Sequence, residues 1–350
     1  MKILFLTRKF WPSIGGVEKH TLEVSKILTK MGHSVKVIAE ADSNFKFEIL
    51  NFKSIFKYQN ITIFKIPITT GEKLKKFQIW SWLGKNRGLL KDSDIIHCHD
   101  VFFWYLPFRF LFPKKKVFIT FHGWEGKFPP ALKAKLVRKI SEKLAFGNIC
   151  VGDFIKKWYG TKPDFVTYGG ANLIQNSKFK IQNYNLKLKI LFIGRLEEDT
   201  GLPVYLKALA ILKNSGFKVS VEFAGDGGLR KEAEKYGRVL GFVGDLGNYI
   251  QNSDFIFTSG YLAILEAMIR KKLIFSVYDN PLKEDYLKLA PFSKWIIIES
   301  SPEQLAQKIS YYFESPKEEK EMTEKAFDWA KEQSWKKVSE IYINLWQKYL

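Results

Sequence analysis

The sequence predicts an α/β protein of two doubly wound, parallel-sheet domains facing across a cleft. Three observations predict it. An apolar run over residues 1–7 opens a loop carrying Gly15 and Gly16 and then an amphipathic helical pattern. A second apolar run, 188–193, opens a loop at Gly194 and Arg195 and then another helical pattern. Between and beyond them, apolar β-rich runs alternate with helical patterns, the signature of parallel sheets covered on both faces. A strand that opens such a loop and helix leaves unpaired helix N–H groups for an anion, and a ligand would sit between the domains.

The elements follow in order. Short runs rich in β-branched and aromatic residues predict strands at 3–6, 34–38, 61–65, 95–97, 117–120, 148–151 and 164–166. Apolar residues at helical spacing predict helices at 17–31, 73–90, 102–112 and 131–145. The second half predicts strands at 189–193, 220–224, 239–243, 255–258, 274–276 and 295–298. Its helices are expected at 203–214, 229–236, 246–251, 263–270, 302–314 and 318–332. A polar Asn- and Gln-bearing stretch at 174–185 marks the boundary, giving domains 1–175 and 176–334. In the last segment, 335–350, Trp335, Val338, Tyr342, Leu345 and Trp346 share one helix face. It follows a break at Gln333 and Ser334, so it is expected to pack on the first domain.

A chain of 350 residues, 46% hydrophobic and 26% charged, is large enough for two globular cores. No signal peptide is expected, and the most apolar stretch, 101–112, holds Pro107 and Arg109 and is too short to span a bilayer. Cys98 and Cys150 lack metal or redox spacing, which fits a reducing cytoplasm. The net charge of +20 is uneven: residues 1–150 hold 27 basic against 11 acidic residues. A basic half meets nucleic acid, an anionic membrane or a phosphorylated substrate, unless the lysines are only a solvated surface.

No Gly-x-Gly-x-x-Gly follows either first strand, which argues against a dinucleotide enzyme. Adjacent Gly15 and Gly16 would let backbone N–H groups approach a phosphate, or serve only as turn residues. Arg195, at a strand end beside a helix start, either grips a phosphate or pairs with Glu197, Glu198 or Asp199. Glu266, in an apolar helix, either holds vicinal ribose hydroxyls or lies on the exposed face. His97 and His99 fall on one strand face, as a metal pair would, but the remaining histidines are distant in sequence and no metal is expected. His122 follows a strand at its carboxyl end, where it would donate to a substrate hydroxyl or phosphate, or be satisfied within its turn.

Taken together, the chain resembles the retaining glycosyltransferases of family 4, with two Rossmann-like domains in the GT-B fold. The resemblance rests on the order and spacing of Gly15-Gly-Val-Glu18, Asp94-Ile-Ile-His-Cys-His99, the His122 loop, Tyr168-Gly-Gly-Ala-Asn172, Gly194-Arg-Leu196, Ala224-Gly-Asp-Gly227 and Leu265-Glu-Ala-Met268. It implies an acceptor-binding first domain and a second domain that binds a nucleotide-diphosphate sugar, with no cofactor and no metal. Arg195 would grip the diphosphate and Glu266 the ribose. Gly15, Gly16, Gly194 and the helix start at Tyr261, Leu262 and Ala263 would complete the donor site, with His122 near the transferred sugar. Glu18, His20 and Trp124 would face the acceptor. The chain departs from the family at Thr200, where lysine is usual, and at Thr258, where a first glutamate is usual. Both remain donor-site candidates as threonines.

The leading expectation is sugar transfer, with retention, to a glycan, glycolipid or lipid-linked acceptor, by a cytoplasmic protein peripheral at the inner face of a membrane. The aromatic segments 77–83 and 102–108, each followed by lysines or arginine, are expected to meet the anionic surface. The alternative, motivated by Thr200 and Thr258, is a partner subunit that keeps the fold without donor turnover. Charge alone points to nucleic acid, and with no helix-turn-helix, zinc finger or RNA-binding sheet in the sequence no such partner is expected.

Overall fold

A computed structural model describes residues 1–41, 55–69, 71, 74–124, 126, 128–173 and 187–349. The chain divides into two compact units, Met1–Glu125 with Pro130–Thr167 and Trp335–Leu350, and Gly126–Pro129 with Tyr168–Ser334. The expected boundary stretch at 174–185 lies outside the described residues.

The first unit runs β1 (Lys2–Thr7), α1 (Gly16–Lys30), β2 (Ser34–Glu40), β3 (Ile55–Tyr58), β4 (Ile61–Ile66), α2 (Lys75–Lys85), α3 (Arg87–Lys91), β5 (Ile95–His99), α4 (Phe102–Leu111), β6 (Lys116–Phe121), α5 (Leu132–Leu144), β7 (Gly147–Val151), α6 (Phe154–Tyr159) and β8 (Phe165–Thr167). The second runs β9 (Leu188–Ile193), α7 (Leu202–Asn214), β10 (Val219–Ala224), α8 (Arg230–Glu234), β11 (Arg238–Gly241), α9 (Gly247–Asn252), β12 (Phe255–Phe257), α10 (Tyr261–Met268), β13 (Leu273–Val277), α11 (Pro281–Lys288), β14 (Ile297–Glu299), α12 (Pro302–Glu314) and α13 (Pro316–Ala330). The last helix, α14 (Trp335–Gln347), belongs to the first unit and packs on α1.

The first sheet is ordered β3-β4-β2-β1-β5-β6-β7-β8 and the second β11-β10-β9-β12-β13-β14. All pairings are parallel except β3 with β4. Strands such as β1 and β9 are buried on both faces, which is why they read as continuous apolar runs and not as alternating ones. The second core centres on Phe192, Tyr205, Phe223, Phe257 and Phe275. Tyr205 stacks on Phe257 and satisfies its hydroxyl by donating to the Phe275 carbonyl at 2.9 Å. Helix starts are set locally: Ser301 accepts from the Glu303 and Gln304 N–H groups ahead of α12, with Pro302 at its first position.

Four elements depart from the sequence reading, two of them the unexpected helices α6 and α11. The helix expected over 73–90 is two helices, because Asn86 turns its side chain back onto the Trp82 carbonyl at 2.8 Å and ends α2. The edge strand β3 was not expected. It is joined to β4 by a tight turn with φ of 47° at Gln59 and 65° at Asn60.

Candidate functional site

In open α/β sheets, ligands bind beyond the carboxyl ends of strands where the strand order reverses. That point lies between β9 and β12 in the second unit, and between β1 and β5 in the first. Most of the residues singled out in the sequence follow strands at these ends.

In the second unit, Gly194 and Arg195 follow β9. Gly225, after β10, lies so near the Gly194 carbonyl that a Cβ there would overlap it, so glycine is needed for the two strand ends to meet. The exposed Arg195 guanidinium donates to Asp199 Oδ2 at 2.7 Å. Thr200 lies with its hydroxyl 2.9 Å from the Arg195 carbonyl and 2.7 Å from that of Glu197, closing the short 3-10 turn Glu198–Thr200. Thr258 is buried, donates to the Ile193 carbonyl at 2.8 Å and accepts the Gly260 N–H at 3.3 Å. Both threonine hydroxyls are therefore turned onto backbone, the first to close a turn and the second to tie the end of β12 to the end of β9.

Helix α10 starts at this end of the sheet. Its first N–H, on Tyr261, donates to the Tyr286 hydroxyl at 3.3 Å. The Tyr261 ring is buried and stacks on Tyr286 at 4.0 Å, and its hydroxyl donates to the Tyr286 carbonyl. Tyr261 is thus an anchor for the helix start. The following N–H groups, on Leu262 and Ala263, sit in the first turn, where a helix supplies no acceptor of its own. Half-buried Glu266 lies on the same face as Leu262, one turn along.

In the first unit, Gly15 and Gly16 open α1, and the Glu18 carboxylate lies directly over Gly15, where a Cβ would collide with it. Beside them is a cluster the sequence did not disclose: His20, His97, His99 and His122 meet, with ring centroids 4.8 Å apart for His20 and His122 and 5.3 Å for His97 and His99. The parallel register of β1, β5 and β6 brings them together, and α14 covers them with Tyr342 and Trp346.

The bonds in this cluster have a direction. Indole nitrogen only donates, so Trp346 Nε1, 3.1 Å from His97 Nδ1, makes that nitrogen an acceptor. The proton of His97 then lies on Nε2 and is donated to Thr120 Oγ1 at 2.8 Å. Thr120 donates to the Tyr342 hydroxyl at 2.9 Å, and Tyr342 to His20 Nε2 at 3.0 Å. His20 is buried within this chain. Burial lowers its pKa to about 3.

His122 is only partly covered. Its Nε2 lies 2.8 Å from His99 Nδ1, and its backbone N–H donates to the Asp100 carboxylate. His99 Nε2 is buried with no partner, and an unpaired acceptor costs less than an unpaired N–H. His99 therefore donates through Nδ1, and His122 carries its own proton on Nδ1. Burial, and then the neighbouring histidines, hold His97, His99 and His122 well below the usual histidine range, with Arg138 adding to the effect at His122. Both ring nitrogens of His97 are engaged, and among the described residues no group of three or more His, Cys, Asp or Glu is placed to hold a metal ion. Half-buried Trp124 follows two residues on, and Arg138 of α5 fixes this loop by donating to the Gly123 carbonyl.

The aromatic segments expected at a membrane are mostly core: Phe102, Trp104, Tyr105 and Phe108 are buried, as are Ile79 and Leu83, while Phe77 and Phe103 are exposed. A row of exposed apolar side chains lies instead on α5. Leu132 (84% exposed), Leu136 (62%), Val137 and Ile140 face outward, while Arg138 and Ser141 face inward. Lys135, Lys139 and Lys143 form a row four residues apart beside the apolar one. Among the described residues no helix is long and apolar enough to cross a membrane.

Residues 14–163 match the family model described as Glycosyltransferase Family 4, and residues 174–329 match Glycosyl transferases group 1. No curated protein matches the chain. The chain is similar in structure to HepE of Anabaena, solved with UDP and glucose (TM-score 0.73, 15% identity, 100% of both chains). It is also similar to a glycosyltransferase from Rickettsia africae (0.70, 18%, 99% of this chain and 98% of that one). A third likeness is to WaaG, a glycosyltransferase involved in lipopolysaccharide biosynthesis (0.67, 14%, 97% and 98%).

Proposed function

The chain belongs to glycosyltransferase family 4, has the GT-B fold and acts on nucleotide sugars, and from that membership we propose that it moves a hexose, with retention, from a nucleotide-diphosphate sugar to an acceptor hydroxyl on a lipid-linked glycan or glycolipid. The observation that carries the donor half of this reading is the grouping of Arg195, the first turn of α10 and Glu266 at the switch point of one sheet. The guanidinium and first-turn N–H groups suit a diphosphate, and a carboxylate one turn along suits two ribose hydroxyls. Stabilising the diphosphate as it leaves is the main catalytic term for such a transfer. In the first unit, His122 carries its proton on Nδ1 and would donate to a hydroxyl of the transferred sugar. Glu18 and Trp124 would meet the acceptor, whereas His20, expected there as well, is buried and bonded to Tyr342. No cofactor or metal is required.

A thermal-shift panel of UDP-, GDP-, ADP- and CMP-sugars on the wild type and Glu266→Ala tests this. A ligand at about 100 times its Kd adds ~2.7 kcal/mol of stability. A shift with one nucleotide, lost in the variant, is the expected result. No shift with any donor in a folded chain would replace this reading with that of a partner subunit without donor turnover.

The membrane part of the reading rests on α5, whose outward face pairs an apolar row with a lysine row, as in helices that lie on anionic bilayers. Its inner face holds the loop of His122 through Arg138, so a docked α5 would bring that loop near lipid-borne acceptors.

A further inference from the structure

Lys283 stands apart from the other described lysines. It lies in the first turn of α11 and is 6% exposed, and its ammonium is buried with no hydrogen-bond partner. Its backbone is held in place by Asn280, whose side chain accepts the Lys283 N–H at 3.0 Å. An ammonium ion removed from water without an acceptor is among the least favourable arrangements a protein can hold, and such groups gather where a ligand completes them.

The surroundings say which ligand. Helix α11 follows β13, the neighbour of β12, at the same end of the sheet as Arg195 and the start of α10. Gly201, with φ of 78°, packs so tightly on the side chain of Val277, the last residue of β13, that a Cβ there would collide. That contact brings the Arg195–Thr200 turn up to the end of β13 and to α11. The charged groups that act on Lys283 are Asp279, Asp199 and Arg195. Asp199 already binds Arg195, and Asp279 accepts from Asn280 Nδ2 at 2.8 Å.

We infer that Lys283 is the second cation of the diphosphate site, supplying from α11 the charge that Thr200 does not supply. This rests on the reading that the second unit binds a nucleotide-diphosphate sugar. Lys283 approaches from β13 and Arg195 from β9, so a diphosphate over the start of α10 meets a cation on either side. Burial lowers the Lys283 pKa to about 8, an effect the two aspartates oppose and Arg195 reinforces, so its charge fades as pH passes that value.

The test compares the whole chain with Lys283→Met and with Lys283→Met/Thr200→Lys, titrated with inorganic pyrophosphate and with UDP, GDP and ADP. Lys283→Met is expected to weaken pyrophosphate, and whichever nucleotide the wild type binds, at least tenfold. Its unliganded melting midpoint should stay level or rise, because a buried charge has been removed. Thr200→Lys should restore much of the affinity. The wild type should also bind more weakly at pH 9 than at pH 7, with a smaller difference in Lys283→Met. Equal affinity in the wild type and Lys283→Met overturns the inference, as does a lower midpoint with no rescue by Thr200→Lys, which would make Lys283 a packing residue. If the wild type binds pyrophosphate through Lys283 but none of the nucleotides, the anion site stands and the nucleotide-sugar reading falls. If it binds neither, both fall.

Discussion

Trp346 donates its indole N–H to Nδ1 of His97 across 249 positions of sequence, at 3.1 Å, and this one bond sets the direction of every proton from α14 to α1. With the indole as a fixed donor, His97, Thr120, Tyr342 and His20 have a single consistent order of donors and acceptors. The last helix is thereby held to β5, β6 and α1 by directional bonds as well as by apolar packing.

Removing either end of that chain should show coupling. Tyr342→Phe takes away the group that accepts from Thr120 and donates to His20, leaving two buried polar groups short of a partner. The expected cost is about 1–3 kcal/mol. Trp346→Phe adds a cavity to the lost bond and should cost about 2–4 kcal/mol. The double variant, measured by urea unfolding, should lose less than the sum, by about 0.5 kcal/mol or more. Strict additivity would mean the two side chains contribute independently.

Acid should unfold the first unit early. His20, His97, His99 and His122 are held neutral by burial, whereas in the unfolded chain each titrates near pH 6.5. Below that pH the unfolded state binds more protons, so stability is full above about pH 6.5 and falls as pH drops toward the folded values, such as about 3 for His20. Each histidine contributes a loss of about 1.4 kcal/mol between pH 7.5 and 5.5, roughly 5 kcal/mol in all. Urea midpoints across that window measure it, since carboxylates there change little. A flat profile would mean the folded cluster carries protons.

Much of this was legible in the sequence because parallel strands buried on both faces leave unbroken apolar runs, as β1 and β9 do. The loops of Gly15, Gly194 and His122 could be located for the same reason, since each follows such a run. Strand β3 was not, because its turn takes left-handed φ at Gln59 and Asn60 without any glycine to mark it. Alternation placed His97 beside His99, but only the order of β1, β5 and β6 and the return of α14 add His20, His122 and Tyr342. Lys283 carries no sequence signal: Lys65, Lys75 and Lys272 are buried too, and what separates it among the described lysines is an ammonium buried without a hydrogen-bond partner. The sequence offers Thr200 and Thr258 as donor-site candidates but gives no sign that their hydroxyls bond backbone carbonyls, which depends on how the strand ends meet.

If Arg195 grips the donor diphosphate as proposed, its ion pair with Asp199 acts as a brake on that site. A diphosphate arriving at Arg195 meets the Asp199 carboxylate on the same guanidinium. Asp199→Asn should therefore tighten donor binding several-fold, in keeping with an exposed pair worth about 0.2–1 kcal/mol. Arg195→Ala should weaken it by tenfold or more, the usual loss for a charge-assisted bond of ~1.5–3 kcal/mol. Calorimetric titration of the three proteins with the nucleoside diphosphate that the wild type prefers measures both. Weaker binding in Asp199→Asn would show that Asp199 holds Arg195 in its binding position.

The outward face of α5 makes the membrane reading quantitative. Lys135, Lys139 and Lys143, each worth about 1 kcal/mol near an anionic surface, would together favour such a bilayer over a neutral one by about 3 kcal/mol, or about a hundredfold. The attraction should fade as salt shortens the screening length. Leu132, Leu136 and Ile140 are exposed, so replacing all three with serine removes the apolar row with little change in the melting midpoint. Co-sedimentation with vesicles of phosphatidylcholine, with and without 30% phosphatidylglycerol, should show the wild type bound only to the anionic vesicles at low salt, and the triple variant left in the supernatant. A wild type indifferent to lipid charge would sink the idea. If instead it dimerises with rising concentration, and the triple variant does not, the apolar row covers a second copy of the chain.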